Sequence, residues 1–101
     1  MTHILSMNIR GLGSASKANC LKELLLDKTP IIFLVQETMC KRERAIKSFL
    51  NIRKGWLTAA VDAVGHSGGL ISIWNPEFAK LRAYKFFGGI ILHGNLRGYV
   101  E

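Results

Sequence analysis

Ile4-Leu5-Ser6-Met7-Asn8-Ile9-Arg10-Gly11-Leu12 and Ile31-Ile32-Phe33-Leu34-Val35-Gln36-Glu37-Thr38 are the two stretches that decide how this chain folds. Each is a short apolar run that ends in a polar, oxygen-bearing side chain: Asn8 after the first, Glu37 after the second. The second run is continuously apolar and rich in β-branched residues, the pattern of a strand buried on both faces. Between them, Ala18, Leu21, Leu24 and Leu25 recur at helical spacing, with Lys17, Lys22 and Asp27 mostly off that face. Gly11-Leu12-Gly13-Ser14 reads as a loop leaving the first strand, Ser14 or Ser16 as a helix cap, and Lys28-Thr29-Pro30 as the helix end. Cys20 falls near the apolar stripe and is expected to be buried. A strand, a helix and a strand in this order predict a right-handed crossover with parallel strands. Asn8 and Glu37 then stand at neighbouring carboxyl ends, where ligands of such sheets bind. An amide oxygen beside a carboxylate is a fragment of a hard-cation site suited to magnesium.

Working outward, residues 39–50 predict a second helix, with Ala45, Ile46, Phe49 and Leu50 as its apolar stripe. Lys41, Arg42, Arg44 and Lys47 form its basic face. Residues 56–64 are a strand candidate, Gly65-His66-Ser67-Gly68-Gly69 a turn, and residues 70–74 the clearest later strand, broken by Asn75-Pro76. Residues 81–86 and 90–93 are expected to pair as a hairpin through Phe87-Gly88-Gly89. Residues 94–101 carry no core signal. The front half alternates strands and helices and the back half is mainly strands, which predicts an α/β (α+β) fold: a mixed sheet with two helices on one face. With no later helices, the opposite face of the sheet is expected to lie uncovered.

Length and composition bound the function. The 101 residues suffice for one domain. A hydrophobic fraction of 49% excludes a disordered chain. Fourteen Lys and Arg against seven Asp and Glu give a net charge of +7, which favours polyanionic partners, nucleic acid first. Cys20 and Cys40 lack metal-ligand spacing, so they are expected to be reduced thiols of an intracellular protein. There is no apolar run of membrane-spanning length and no signal-peptide pattern, and no membrane partner is expected.

Three motifs together resemble one family. Ser6-Met7-Asn8-Ile9-Arg10-Gly11-Leu12-Gly13, then Leu34-Val35-Gln36-Glu37-Thr38, then Gly65-His66-Ser67-Gly68-Gly69-Leu70 with Trp74-Asn75-Pro76, are similar in kind and order to the endonuclease/exonuclease/phosphatase (deoxyribonuclease I-like) superfamily. The likeness is greatest to the endonuclease domain of plant LINE-type (non-LTR) retrotransposons. The resemblance implies a four-layered α/β sandwich and magnesium-dependent phosphodiester hydrolysis. It implies that Glu37 is a metal ligand and Asn8 an active-site residue, with the Ser-Gly-Gly turn structural. The family's usual Trp before the asparagine is Met7 here, and a carboxylate of another branch is Arg10, as is common in plant LINE sequences.

The family's later tyrosine, its aspartate with a nearby asparagine, and its final aspartate–histidine pair are absent from these residues. Residues 1–101 therefore read as the N-terminal half of the domain, a truncated nuclease with negligible activity alone and a weakly held Mg2+.

Each candidate has a bland rival. Glu37 is otherwise a solvated strand-end residue, and Asn8 a turn residue bonding its own backbone. Lys41, Arg42, Arg44 and Lys47, with Arg10, either contact DNA phosphates or form a solvated surface. Trp56 and Trp74 are expected in the core rather than stacked on bases. His66 is read as a turn residue, His3 as a strand start, and His93 has no carboxylate near in sequence.

Two further functions stay open: a basic, non-catalytic nucleic-acid-binding module, and a retroelement remnant without function. An intracellular chain that acts on DNA would be nuclear. An exposed sheet face or edge predicts self-association.

Overall fold

Residues 4–12, 15–50, 53–65, 67–86 and 88–97 are described by the computed structural model. The expected cap at Ser14 and the hairpin position Phe87 lie outside the described residues. The chain order is β1 (Ile4–Asn8), α1 (Ala15–Lys28), β2 (Ile32–Gln36), α2 (Arg42–Leu50), β3 (Leu57–Val64), β4 (Ser67–Trp74), β5 (Ala79–Phe86) and β6 (Gly89–Leu96). Four strands form a sheet in the order β1-β2-β4-β3, and β5 and β6 form a separate two-stranded sheet. The β1–β2 pair is parallel, joined by the α1 crossover, while β2–β4 and β4–β3 are antiparallel. The protein is thus the expected α/β (α+β) fold with a mixed sheet. Its radius of gyration, 13.1 Å, is that of a packed chain of this length.

Both helices cover one face of the large sheet. Alternation along the strands sends Phe33 and Val35 of β2, Ile71 and Ile73 of β4 and Ala60 of β3 to that face. There they pack with Leu21 and Leu25 of α1 and Ala45 and Phe49 of α2. The rings of Phe33 and Phe49 meet edge to face, centroids 5.9 Å apart, a contact worth about 1 kcal/mol beyond its buried area.

The apolar stripe of α1 is narrow. Leu21 and Leu25 are buried, whereas Cys20 is exposed, so the expectation of a buried Cys20 is wrong. One position away from Leu21, about 100° of helical rotation carries its side chain off the stripe. Thr29 ends α1 in the left-handed conformation (φ 45), its N–H donating to Leu25 O at 3.2 Å. Arg53 donates to the same carbonyl from Nη2 at 3.1 Å and lies 5.6 Å over the Trp56 ring.

The opposite face is not bare. Ile32, Ala59 and Trp74 pack there against Ala79, with Leu34, Leu81, Ile90, Leu92 and Leu96 alongside. The β5–β6 hairpin therefore folds back over the sheet and replaces the uncovered face expected from sequence. Trp74, 4% exposed, is a core residue as expected. Leu96 takes part in this second core, so β6 extends through residues expected to carry no core signal.

Two boundaries also move. Met39 has φ 55, which no helix contains, so α2 starts at Arg42 rather than at residue 39. Gly68 and Gly69 have φ 74 and 90 yet belong to β4, so the expected turn is partly strand.

Candidate functional site

The carboxyl ends of β1 and β2 are neighbours by register: Asn8 pairs with Gln36. Past that pair the two chains stay laced together. Ile9 N–H donates to Gln36 O (3.1 Å), Gly11 N–H to Glu37 O (2.7 Å) and Leu12 N–H to Thr38 O (2.9 Å). On the other side, Thr38 N–H donates to Gly69 O (3.1 Å) and Met39 N–H to Gly68 O (2.8 Å). The segment after β2 is thereby clamped between the β1 exit and the start of β4. The first two motifs and the Ser67-Gly68-Gly69 start of β4 meet at this end of the sheet, whereas Trp74 and Asn75 lie at the other end, beside Ile32 and Ile31.

Backbone conformation there is unusual. Arg10 (φ 50), Glu37 (φ 55) and Met39 (φ 55) are non-glycine residues in the left-handed region, alongside Gly11, Gly68 and Gly69. Each such residue costs on the order of 1–2 kcal/mol. Surrounding hydrogen bonds hold them there, and strain of this kind gathers at functional sites. Gly69 is required twice over. Its φ of 90 disfavours any side chain, and a Cβ would collide with Thr38 Oγ1. Thr38 itself is 1% exposed, and its hydroxyl has no hydrogen-bond partner among the described residues.

The candidate side chains are unequally committed. Asn8 Oδ1 accepts the Arg10 N–H at 3.1 Å, an Asx-type turn, leaving its second lone pair. The turn role expected as the rival reading of Asn8 is therefore observed. Glu37 is half-buried, and no described residue bonds or pairs with its carboxylate. Gln36 donates from Nε2 to Ser6 Oγ at 3.0 Å, tying the last residue of β2 to the middle of β1.

An amide oxygen and a carboxylate oxygen are donor types that magnesium accepts. One carboxylate and one amide leave most of six positions to water and substrate phosphate, a common arrangement for this ion. No group of three or more His, Cys, Asp or Glu residues is gathered among the described residues. Asp62, the acid of β3, is engaged by α2: its Oδ1 accepts the Arg42 N–H at the helix start, at 2.7 Å.

Positive charge surrounds this end. Arg10 is exposed, and Lys17 of α1 donates from Nζ to Arg10 O at 2.6 Å. Lys41, Arg42, Arg44 and Lys47 are all exposed; Arg42 also contacts Glu43 at 3.4 Å. That contact is a weak surface pair and leaves the guanidinium open to other anions.

His3 and His66 lie outside the described residues. His93 pairs across the hairpin with Arg82, in the separate small sheet. In comparisons with known proteins, no family model and no curated protein matches this chain. Among the described residues no helix is long and apolar enough to cross a membrane.

Proposed function

We propose that these 101 residues are the metal-binding part of a LINE-type retroelement DNA endonuclease domain, with negligible nicking activity by themselves. The observation that carries the reading is the Glu37 carboxylate. It is half-buried and unpartnered among the described residues, one residue past β2 and beside the end of β1 that carries Asn8, where the first two motifs meet the Ser67-Gly68-Gly69 start of β4. A magnesium ion held by Glu37 and Asn8 would supply polarisation of a phosphate and stabilisation of the leaving oxyanion.

The chain's own groups do the rest that can be done here. Arg10, Lys41 and Arg42 draw the phosphate backbone toward this end, and Arg44 and Lys47 extend the track along α2. Their contacts position DNA without reading its bases. Among the described residues no histidine is paired with an aspartate that would set it to activate water: His93 stands opposite Arg82. A protein acting on chromosomal DNA would work in the nucleus.

A plasmid-nicking assay with Mg2+ tests the reading. The expected result is no nicking above background. Robust nicking abolished by Glu37→Ala would overturn the claim of inactivity, while keeping Glu37 as ligand.

A second reading is favoured by α2 alone. Its exposed basic side chains make a non-catalytic nucleic-acid-binding module, with affinity that falls steeply as salt rises. Retained DNA binding in Glu37→Gln, without any effect of Mg2+, would select this reading over the first.

A further inference from the structure

The β5–β6 hairpin has two unlike faces. Ala79, Leu81, Ile90, Leu92 and Leu96 point into the second core. Strand alternation puts Lys80, Arg82, Tyr84 and Phe86 on the other side of β5. Opposite them in register are Asn95, His93, Ile91 and Gly89. Tyr84, Phe86 and Ile91 are 51%, 54% and 49% exposed. Three large apolar side chains, each about half exposed and neighbours on one face, make a patch of the kind that marks a contact surface. Its charge is one-sided: no Asp or Glu occurs between Glu77 and Glu101, and this face of β5 carries Lys80 and Arg82.

We propose that this outer face binds single-stranded nucleic acid, with bases stacked on Tyr84 and Phe86 and phosphates held by Arg82 and Lys80. Charge complementarity selects a polyanion, and the rings select one whose aromatic faces are accessible. A duplex hides its base faces inside the stack. Residues two apart on a strand are separated by about 6.6 Å. That is nearly double the duplex repeat of about 3.4 Å per nucleotide, so successive rings suit the unstacked bases of a single strand. Aromatic rings in a basic groove are the usual means of holding such strands without regard to sequence. Lys80 and Asn95 of this face also line a hollow of about 410 Å³ with Glu77, Phe78, Leu96 and Arg97, two cations against one acid. Arg97 lies 5.9 Å over the Phe78 ring there, which extends the aromatic and cationic track.

This inference does not rest on the nuclease reading. It uses neither Glu37 nor α2, and it concerns the strand type bound rather than hydrolysis.

The test is fluorescence anisotropy of the full chain with a labelled oligo-dT and with a duplex of equal length, across a salt series. The expected result is tighter binding of oligo-dT. Tyr84→Ala should weaken it by about tenfold, with Tyr84→Phe restoring it, while duplex affinity stays unchanged. Arg82→Gln, at an exposed position where folding is not at stake, should flatten the salt dependence for oligo-dT. Equal binding of the two forms, or unchanged oligo-dT binding in both Tyr84→Ala and Arg82→Gln, overturns the proposal. So does sedimentation that shows a dimer dissolved by Tyr84→Ala but untouched by oligo-dT, since the face would then belong to a second copy of the chain. The double variant Arg44→Gln/Lys47→Gln separates the two sites: it should lower duplex binding and spare the preference for oligo-dT.

Discussion

Asp62 of β3 accepts the backbone N–H of Arg42 at 2.7 Å, so a carboxylate on one strand caps the helix that carries the basic side chains. The helix start has unsatisfied N–H groups and a partial positive charge, and an acid there answers both. Asp62 is therefore a structural acid, engaged by α2.

Removing that cap should be felt as stability. Asp62→Ala is expected to lower unfolding free energy by about 1 kcal/mol, with Asp62→Asn recovering most of it. Urea titration of the three proteins measures this.

Gly69 and Thr38 form a second coupled pair. Gly69→Ala puts a Cβ into Thr38 Oγ1 and close to Met39 N (3.2 Å), at φ 90. A loss of about 2–3 kcal/mol is expected from strain and overpacking together. Thr38→Ala removes the obstructing hydroxyl, so the double variant should be more stable than Gly69→Ala alone. A double-mutant cycle by thermal melting reads the coupling.

Gly94 serves the hairpin in a different way. A Cβ there would meet Lys80 O and stand 2.9 Å from Leu81 Cα. Gly94→Ala should force β5 and β6 apart and expose the second core, costing about 1–3 kcal/mol. Hydrogen exchange is expected to quicken first at the amides of β5 and β6.

On α2, salt dependence reports the neutralisation of phosphates. Arg44→Gln/Lys47→Gln should reduce the slope of log K against log salt for duplex DNA by about 0.9 for each phosphate that is no longer neutralised. An unchanged slope would mean that these side chains form only a solvated surface.

Much of this fold is legible in the sequence. The apolar runs ending at Asn8 and Gln36 give β1 and β2, and the spacing of Leu21 and Leu25 gives α1 between them. What is not legible depends on tertiary contact. Gly68 and Gly69 look like punctuation, yet they stay in β4 because Thr38 and Met39 bond to their carbonyls. Met39 looks helical by pattern, but the clamp on the segment after β2 holds it left-handed. Leu96 looks like a tail residue and gains meaning only once the hairpin folds onto Ile32 and Trp74.

The same holds at the candidate site. Adjacency of the Asn8 and Glu37 strands follows from the strand–helix–strand order. The use of Asn8 Oδ1 by Arg10 N–H, and of Asp62 by α2, does not. The outer face of the hairpin is equally hidden, since it depends on which side of β5 the second core takes.

The central claim is that Glu37 and Asn8 share one divalent ion. Adding Mn2+ as a paramagnetic substitute for Mg2+ and recording the side-chain amide signals of the chain by NMR tests it directly, because weak binding still broadens nearby resonances. The expected result is selective broadening of the Asn8 side-chain amide, reversed by excess Mg2+ and lost in Glu37→Gln. No broadening at Asn8, or broadening that persists unchanged in Glu37→Gln, would contradict it.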